Sequence, residues 1–566
     1  MSLLARRLAW QKLERTPGRA INMRAYLLAT FTVNPFAPYL GSSLVDSGFD
    51  PSVEIGPFDQ IQQTMLFGSM HDEADVVVVW ARLEELWGGG PWPLVDGDAS
   101  AGIDALVQIG ETCASWASEH GVTVVVVLPA LPDYVPLGLG DAGNRFGVRA
   151  MANTAREAFR LTVANRPGVL VFDAEAVVRE LGSKNVLDPR RMAAATIPYT
   201  EELFSHVAAG VARLVELDRK GAKKVAVVDA DNTLWGGIVG EDGADGVDLA
   251  EQGPGMSYRA FQRYLLDLRR AGTVIAVASK NNEADALEVF SRREMVLSVD
   301  DLAAWRINWS PKSSNIAEMA DELNLGTSSM VFIDDSAMER AEVSANVEGV
   351  TVLQMPEDPA GWFDAIGRSG ALDRLPPTNS DLARAESYAQ ETQRVQARQA
   401  TDLGSFLESL QLCVAVFEPS NNDVPRLAQL VAKTNQFTLG GYRHTEAEIV
   451  AMASSNDVAL RLVHAKDNFG DYGIIGALII SERSSSESVL DTFVLSCRAM
   501  GRGVEDAMMA AALTLANHNL RVCLVETAKN RPMRAWIRGL GVEPGESVRV
   551  GACSWPPHLL RVDAID

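Results

Sequence analysis

The chain has 566 residues, 47% hydrophobic and 22% charged, with 51 lysines and arginines against 74 aspartates and glutamates, a formal charge of −23 at pH 7. That length exceeds one hydrophobic core and calls for about three or four domains, while the acidic balance excludes general binding to nucleic acid or an anionic membrane, so any polyanionic ligand must be held locally. Cys113, Cys413, Cys497, Cys523 and Cys553 form no CxxC pair and have no histidines at metal spacing, which leaves neither a disulfide framework nor a zinc site and implies a reducing, cytoplasmic compartment.

In chain order, the opening "MSLLARRLAWQKLERTPGRA" lacks an apolar core followed by a cleavage site, and no stretch approaches 18 apolar residues, so neither secretion nor membrane spanning is expected. The valine-rich runs "ADVVVVW" (74–80), "VTVVVVLPA" (122–130) and "GVLVFDAEAV" (168–177) are separated by helix-length segments. This is the pattern of parallel strands covered on both faces, and it predicts a doubly wound α/β unit over 1–218. A second parallel set comprises "KKVAVVDADN", "TVIAVASKNN" (273–282) and "SSMVFIDDSA" (328–337), within a domain predicted at 219–375. "LDRLPPTNSD" (372–381) has the prolines and turn formers of a linker. A charged helical stretch starting at Ser380 follows, then antiparallel-looking strands and a helix from "GRGVEDAMMAAALTLANHN", within an α/β domain over 376–566.

In a doubly wound sheet, ligands sit beyond the carboxyl ends of the strands. Asp229 and Asp231 end one strand, Ser279 and Lys280 the next, and Asp334 and Asp335 a third. Four carboxylates converging there repel one another unless a cation lies between them, and all-oxygen ligation suits Mg²⁺, with Asp229, Asp231, Asp334 and Asp335 as ligands. A carboxylate beside Mg²⁺, Asp229, can attack phosphorus, and a second two residues on, Asp231, can protonate the leaving oxygen. Ser279 and Lys312 are placed to supply the hydroxyl and the cation that the remaining phosphoryl charge needs.

The ordered set "DADNT", Ser279, Lys312 and "DD" resembles the haloacid dehalogenase superfamily, whose members mostly transfer phosphoryl groups through an aspartyl intermediate. The longer stretches "DNTLWGGIVGEDG", "VASKNNE", "WSPKSSNI" and "VFIDDSAMERAEV" resemble more specifically the FkbH-like family of polyketide pathways. The resemblance implies a haloacid-dehalogenase-like Rossmannoid catalytic domain using Mg²⁺. It also implies an activity: taking glycerate from 1,3-bisphosphoglycerate, releasing phosphate and loading the glyceryl group onto an acyl carrier protein thiol. Two alternatives stand beside it, a plain phosphatase of a small phosphorylated metabolite and a carrier-protein binding module that has lost turnover.

In glyceryl-transferring relatives the residue between the two aspartates is commonly a cysteine that carries the acyl group as a thioester. Here it is Ala230. The alanine leaves three readings: direct transfer to the carrier thiol, a role without an acyl stage, or an introduced replacement of cysteine. A cysteine restored at 230 is expected to stand beside the metal and the aspartates. Ser336 replaces a frequent asparagine with little expected consequence, and Trp235 is either a packed core residue or a substrate contact.

"RAMGRG" (498–503) fits RxxGxG at a strand-to-helix junction, where free N–H groups and glycines admit phosphate. With "VCLVETA" and "KNRPMRAWIRGLGV" it resembles the GNAT acyltransferase fold. That likeness implies that Arg498, Gly501 and Gly503 hold the phosphopantetheine arm of the carrier. Cys497 is either an acyl acceptor or a small buried hydrophobe. The basic run 521–540 is either a docking patch for an acidic carrier or a solvated helix face. The first domain resembles the SGNH-hydrolase-like domain in strand order and length only. Threonines stand in "LATFTVNPFAPYL" where a nucleophilic serine would be needed, and "VLDPRRMAAATIPYT" lacks Asp-x-x-His, so a non-catalytic scaffold is expected.

Overall fold

The computed structural model describes residues 2–68, 74–87, 100–132, 135–323, 325–376 and, with short interruptions, 403–562. The rest of the linker after Pro376 and the charged helical stretch up to residue 402 lie outside the described residues. Two compact units form, Met1–Ala222 with Asp373–Leu375, and Lys223–Leu372 with Pro376–Asp566. The first extends past the expected boundary at 218 because the helix Glu201–Lys220 continues to Gly221, whose φ of 78° ends it.

The first unit is a five-stranded parallel sheet of β1 (Met23–Ala29), β2 (Pro51–Ile55), β3 (Val76–Trp80), β4 (Thr123–Leu128) and β5 (Val169–Asp173), in the order β2-β1-β3-β4-β5. Every residue of β3 and β4 is buried, as two covered faces require. Val77, Val79, Val124 and Val126 join one core, and Val76, Val78, Trp80, Val125 and Val127 the other. The runs are therefore continuous rather than alternating.

The second unit repeats the plan with β6 (Val225–Val228), β7 (Val274–Ser279), β8 (Ala304–Ile307), β9 (Met330–Ile333) and β10 (Thr351–Val352), all parallel, in the order β10-β9-β6-β7-β8. It also contains a seven-stranded mixed sheet of β11 (Cys413–Phe417), β12 (Val458–Asp467), β13 (Gly470–Ser484), β14 (Glu487–Leu495), β15 (Asn519–Val522), β16 (Ser547–Val548) and β17 (Leu560–Val562). The long β12, β13 and β14 are antiparallel neighbours, while β14–β15 and β11–β17 are parallel. Among the described residues no helix is long and apolar enough to cross a membrane.

One buried side chain ties down the segment that follows β6. Gln262, fully enclosed on the helix Pro254–Arg270, donates from Nε2 to the Leu234 carbonyl at 2.6 Å and accepts at Oε1 from the Val296 and Leu297 amides at 2.7 and 3.0 Å. Replacing it by leucine conserves volume but strands three backbone groups. We expect Gln262→Leu to lower the unfolding free energy of the second unit by about 3 kcal/mol or more, measured by urea denaturation; a change within error would show that the backbone groups find other partners.

Candidate active site

Strand register dictates which carboxylates meet. β6 pairs with β9 so that Val228 lies opposite Ile333, and the Asp229 amide donates to the Ile333 carbonyl at 3.0 Å. The residues next in sequence, Asp229 and Asp334, are therefore neighbours across the carboxyl edge, about one strand spacing apart. Oxygens of Asp229, Asp334 and Asp335 lie within 4.8 Å of one another. Lys312 opens the helix Lys312–Glu322, and its ammonium, 2% exposed as a residue, reaches Asp229 Oδ1 and Asp334 Oδ2, each at 2.6 Å.

Burial alone would depress the Lys312 ammonium, but Asp229 and Asp334 outweigh it and hold it above its ordinary value. Asp334 is pushed up to about 6, first by burial and then by the Asp229 charge, with Lys312 pulling the other way. Asp335 is raised by the same two causes. The backbone is fixed as firmly as the side chains, since Arg340 Nη1 donates to the Asp334 and Asp335 carbonyls at 2.6 and 2.7 Å. Ser336, at the position where asparagine was expected, caps the helix Ala337–Asn346 by accepting from the Glu339 amide, and its own amide donates to Asp334 Oδ1 at 2.8 Å. Three carboxylates facing one ammonium leave a surplus of negative charge on an all-oxygen donor set, which a hard divalent cation fits.

Asp231 does not join this cluster. Its Oδ1 accepts from the Trp235 indole at 2.9 Å and the Val239 amide at 3.2 Å, and its Oδ2 accepts from Asn281 Nδ2 at 2.9 Å. The expected fourth carboxylate ligand is thus engaged by three donors instead. Asn281 also donates to Ser279 Oγ at 3.1 Å, so Ser279, at the end of β7, belongs with Asp231 and not with the metal-type cluster. Lys280 pairs with Glu339 at 2.7 Å. Sequence reasoning missed Asn281, although "SKNN" offered its signal, a polar side chain immediately past a strand end.

Position 230 is a core position. Ala230 is fully buried in one apolar cluster with Val228, Leu234 and Trp235. A cysteine there would enter that apolar cluster while standing between Asp229 and Asp231 in the chain. Trp235 is both packed and polar in role, edge-on to Phe290 at 5.7 Å while its N–H holds Asp231. Gly237, at φ 96°, lets its amide reach Asn232 Oδ1 at 2.9 Å and closes this turn.

In the mixed-sheet domain Arg498 and Cys497 lie outside the described residues. Gly501 and Gly503 adopt φ of 72° and 85° ahead of the helix Val504–Ala516. The Gly501 amide donates to Glu505 Oε1 at 3.1 Å, so the chain's own carboxylate takes one of the N–H groups expected to meet phosphate. Within the basic run, Arg534 and Arg538 both approach Glu526, at 2.7 and 3.5 Å, which tempers its positive charge.

The raised carboxyl of Asp334 has a thermodynamic consequence. Its proton is held more tightly in the folded state than in the unfolded chain, where aspartate titrates near about 3.9. The folded state therefore binds the excess proton, and stability falls as pH rises from about 4 to about 6 by roughly 1–3 kcal/mol in the absence of a divalent cation. Thermal unfolding in EDTA across this range checks it. Asp334→Asn is expected to flatten that part of the profile, and Mg²⁺ at neutral pH to restore stability to the parent alone; parallel profiles for parent and variant would contradict it.

No family model and no curated protein matches the chain. Among solved structures, the chain is similar to the N-terminal part of the protein BF1531 from Bacteroides fragilis, containing a phosphatase domain complexed with Mg. The two are 22% identical with a TM-score of 0.56, over 64% of this chain and 98% of that one. Ard1 from Thermoplasma volcanium matches over 22% of this chain and 81% of that one, with 18% identity and a TM-score of 0.18. A G-D-S-L family protein from Desulfitobacterium hafniense DCB-2 matches over 34% and 99%, with 13% identity and a TM-score of 0.24. The likeness to the Bacteroides protein is one of fold, and it fits the α/β architecture with parallel sheets described above.

Proposed function

We propose that the second unit carries a Mg²⁺-dependent phosphoryl-transfer centre of haloacid dehalogenase type, in which Asp229, Asp334 and Asp335 hold the metal. The observation that carries this reading is the convergence of those three carboxylates within 4.8 Å beside the single ammonium of Lys312. The Mg²⁺ of the Bacteroides neighbour supports it. When bound, Mg²⁺ neutralises charge on the phosphoryl oxygens.

The chain's own groups do the rest. An Asp229 oxygen attacks phosphorus and forms an aspartyl phosphate while the bond to the leaving oxygen breaks. Asp231, oriented by Trp235, Val239 and Asn281, gives that oxygen its proton. Water, giving a proton back to Asp231, then cleaves the acyl phosphate, releasing inorganic phosphate and restoring both Asp229 and Asp231. Lys312 keeps Asp229 and Asp334 in place and offsets the incoming negative charge.

The finer reading is that the substrate is 1,3-bisphosphoglycerate and the acceptor an acyl carrier protein. It rests on the FkbH-like resemblance of the sequence from "DNTLWGGIVGEDG" to "VFIDDSAMERAEV". The buried setting of Ala230 favours direct transfer, in which the carrier thiol attacks the acyl carbon and the C1 phosphate departs with no thioester on the enzyme, while the Asp229 route removes the 3-phosphate, so that a glyceryl group and two phosphates result. The Gly501–Gly503 turn, with Arg498 by sequence, is the proposed seat of the pantetheine arm.

Mixing the protein with Mg²⁺, 1,3-bisphosphoglycerate and holo carrier protein, then weighing both proteins, tests the whole reading. A mass gain on the carrier is expected; phosphate release without that gain would reduce the protein to a phosphatase, and neither would remove the chemistry. Asp229→Asn should lower release of the 3-phosphate by roughly a thousandfold or more, and release of that phosphate near the parent rate would exclude Asp229 as nucleophile. Ala230→Cys should load carrier at the parent rate with no glyceryl adduct on the enzyme; a hydroxylamine-sensitive adduct would replace direct transfer by a covalent stage.

A further inference from the structure

We propose that the first unit contains a binding site for a small organic ammonium, best met by an aliphatic amino acid, at the carboxyl ends of β3, β4 and β5. A cavity of about 280 Å³ lies there, and its lining includes Glu84, Glu175 and Arg149 together with the apolar Leu131, Val178 and Leu187. Glu84 follows β3, Leu131 follows β4, and Glu175 opens the helix after β5. This is where an open parallel sheet takes its ligands, and the volume suits a molecule of amino-acid size.

The charges around the cavity select the ligand. The Arg82 guanidinium, which does not itself line the cavity, is paired with Glu84 at 2.8 Å and Glu85 at 2.5 Å and lies over the ring of the lining residue Tyr199 at 5.6 Å. Two carboxylates share that one cation, and Glu85 Oε2 and Arg82 Nε are buried without a hydrogen-bond partner. Burial, against the pull of Arg82, pushes Glu85 up to about 7, and the Glu84 charge adds to the rise. Glu175 adds a second carboxylate to the lining, with Oε2 accepting from the Leu131 amide at 2.8 Å. Arg149 is the only cation among the lining residues and is exposed. A ligand that places an ammonium by Glu84 and Glu175, an aliphatic body by the leucines and valine, and a carboxylate by Arg149 matches the charged and apolar lining. A plain anion meets two carboxylates and is repelled.

Calorimetric titration with leucine, leucinamide and isocaproate, three probes of one shape, decides it. Leucine and leucinamide should bind and isocaproate should not. Glu84→Gln combined with Glu175→Gln, which keeps the acceptor for the Leu131 amide, should weaken both binders about tenfold or more. Arg149→Met, a change at an exposed position, should weaken leucine while leaving leucinamide unaltered. Isocaproate binding as tightly as leucine, absence of binding by both ammonium probes at millimolar concentration, or binding unchanged in the glutamine variants would each overturn the proposal.

Discussion

The second unit is organised around one buried ammonium. Lys312 comes from a helix that starts beyond β8, yet its charge rests on the ends of β6 and β9, strands on the other side of β7. Without it Asp229 and Asp334 would face each other uncompensated in a place where burial already disfavours the charged form. With it they stay together, but the account is not closed: Asp335 brings a third carboxylate and no further cation contacts the cluster's oxygens among the described side chains. The protein thus maintains a defined electrostatic deficit at a sheet edge, and that deficit is what a metal and a phosphoryl group can use.

Around this centre, work is divided between two neighbouring sets of polar groups. One is ionic, made of Asp229, Asp334, Asp335 and Lys312. The other is a hydrogen-bonded chain from Trp235 through Asp231 and Asn281 to Ser279. Two aspartates separated by one residue can serve different chemistry because their surroundings differ: Asp229 sits against a cation, while Asp231 is enclosed by neutral donors. The Gln262 clamp on Leu234 links this arrangement to the core, since Leu234 and Trp235 belong to the same turn.

Much of this was legible in the sequence, and for a physical reason. Strands covered on both faces must be apolar throughout, so "VVVVW" and "VTVVVVLPA" announce their own position; and because parallel strands in register end together, acidic residues just past such runs must converge. That logic finds Asp229, Asp334 and Asp335. It cannot say which way a carboxylate turns: Asp231 has the same spacing argument in its favour, but its partners come from Val239, eight residues on, and Asn281, fifty residues on. The Arg82–Glu84–Glu85 cluster was equally silent, since "ARLEEL" reads as an ordinary helix start. Glu505, too, gives no sign in sequence that its carboxylate will turn back onto Gly501.

Ala230 bears on how the site can change over time. Because its side chain shares a cluster with Val228, Leu234 and Trp235, selection at this position acts first on volume. Alanine, serine and cysteine differ by little more than one heavy atom, so exchange among them is a small repacking of the interior. A larger residue would instead crowd the cluster it shares with Trp235, whose indole holds Asp231, so that a purely steric change in the core could reach that carboxylate. The segment between the two aspartates is therefore permissive toward small side chains and intolerant of large ones, which makes it a place where a lineage could gain or lose a thiol without first having to rebuild the fold.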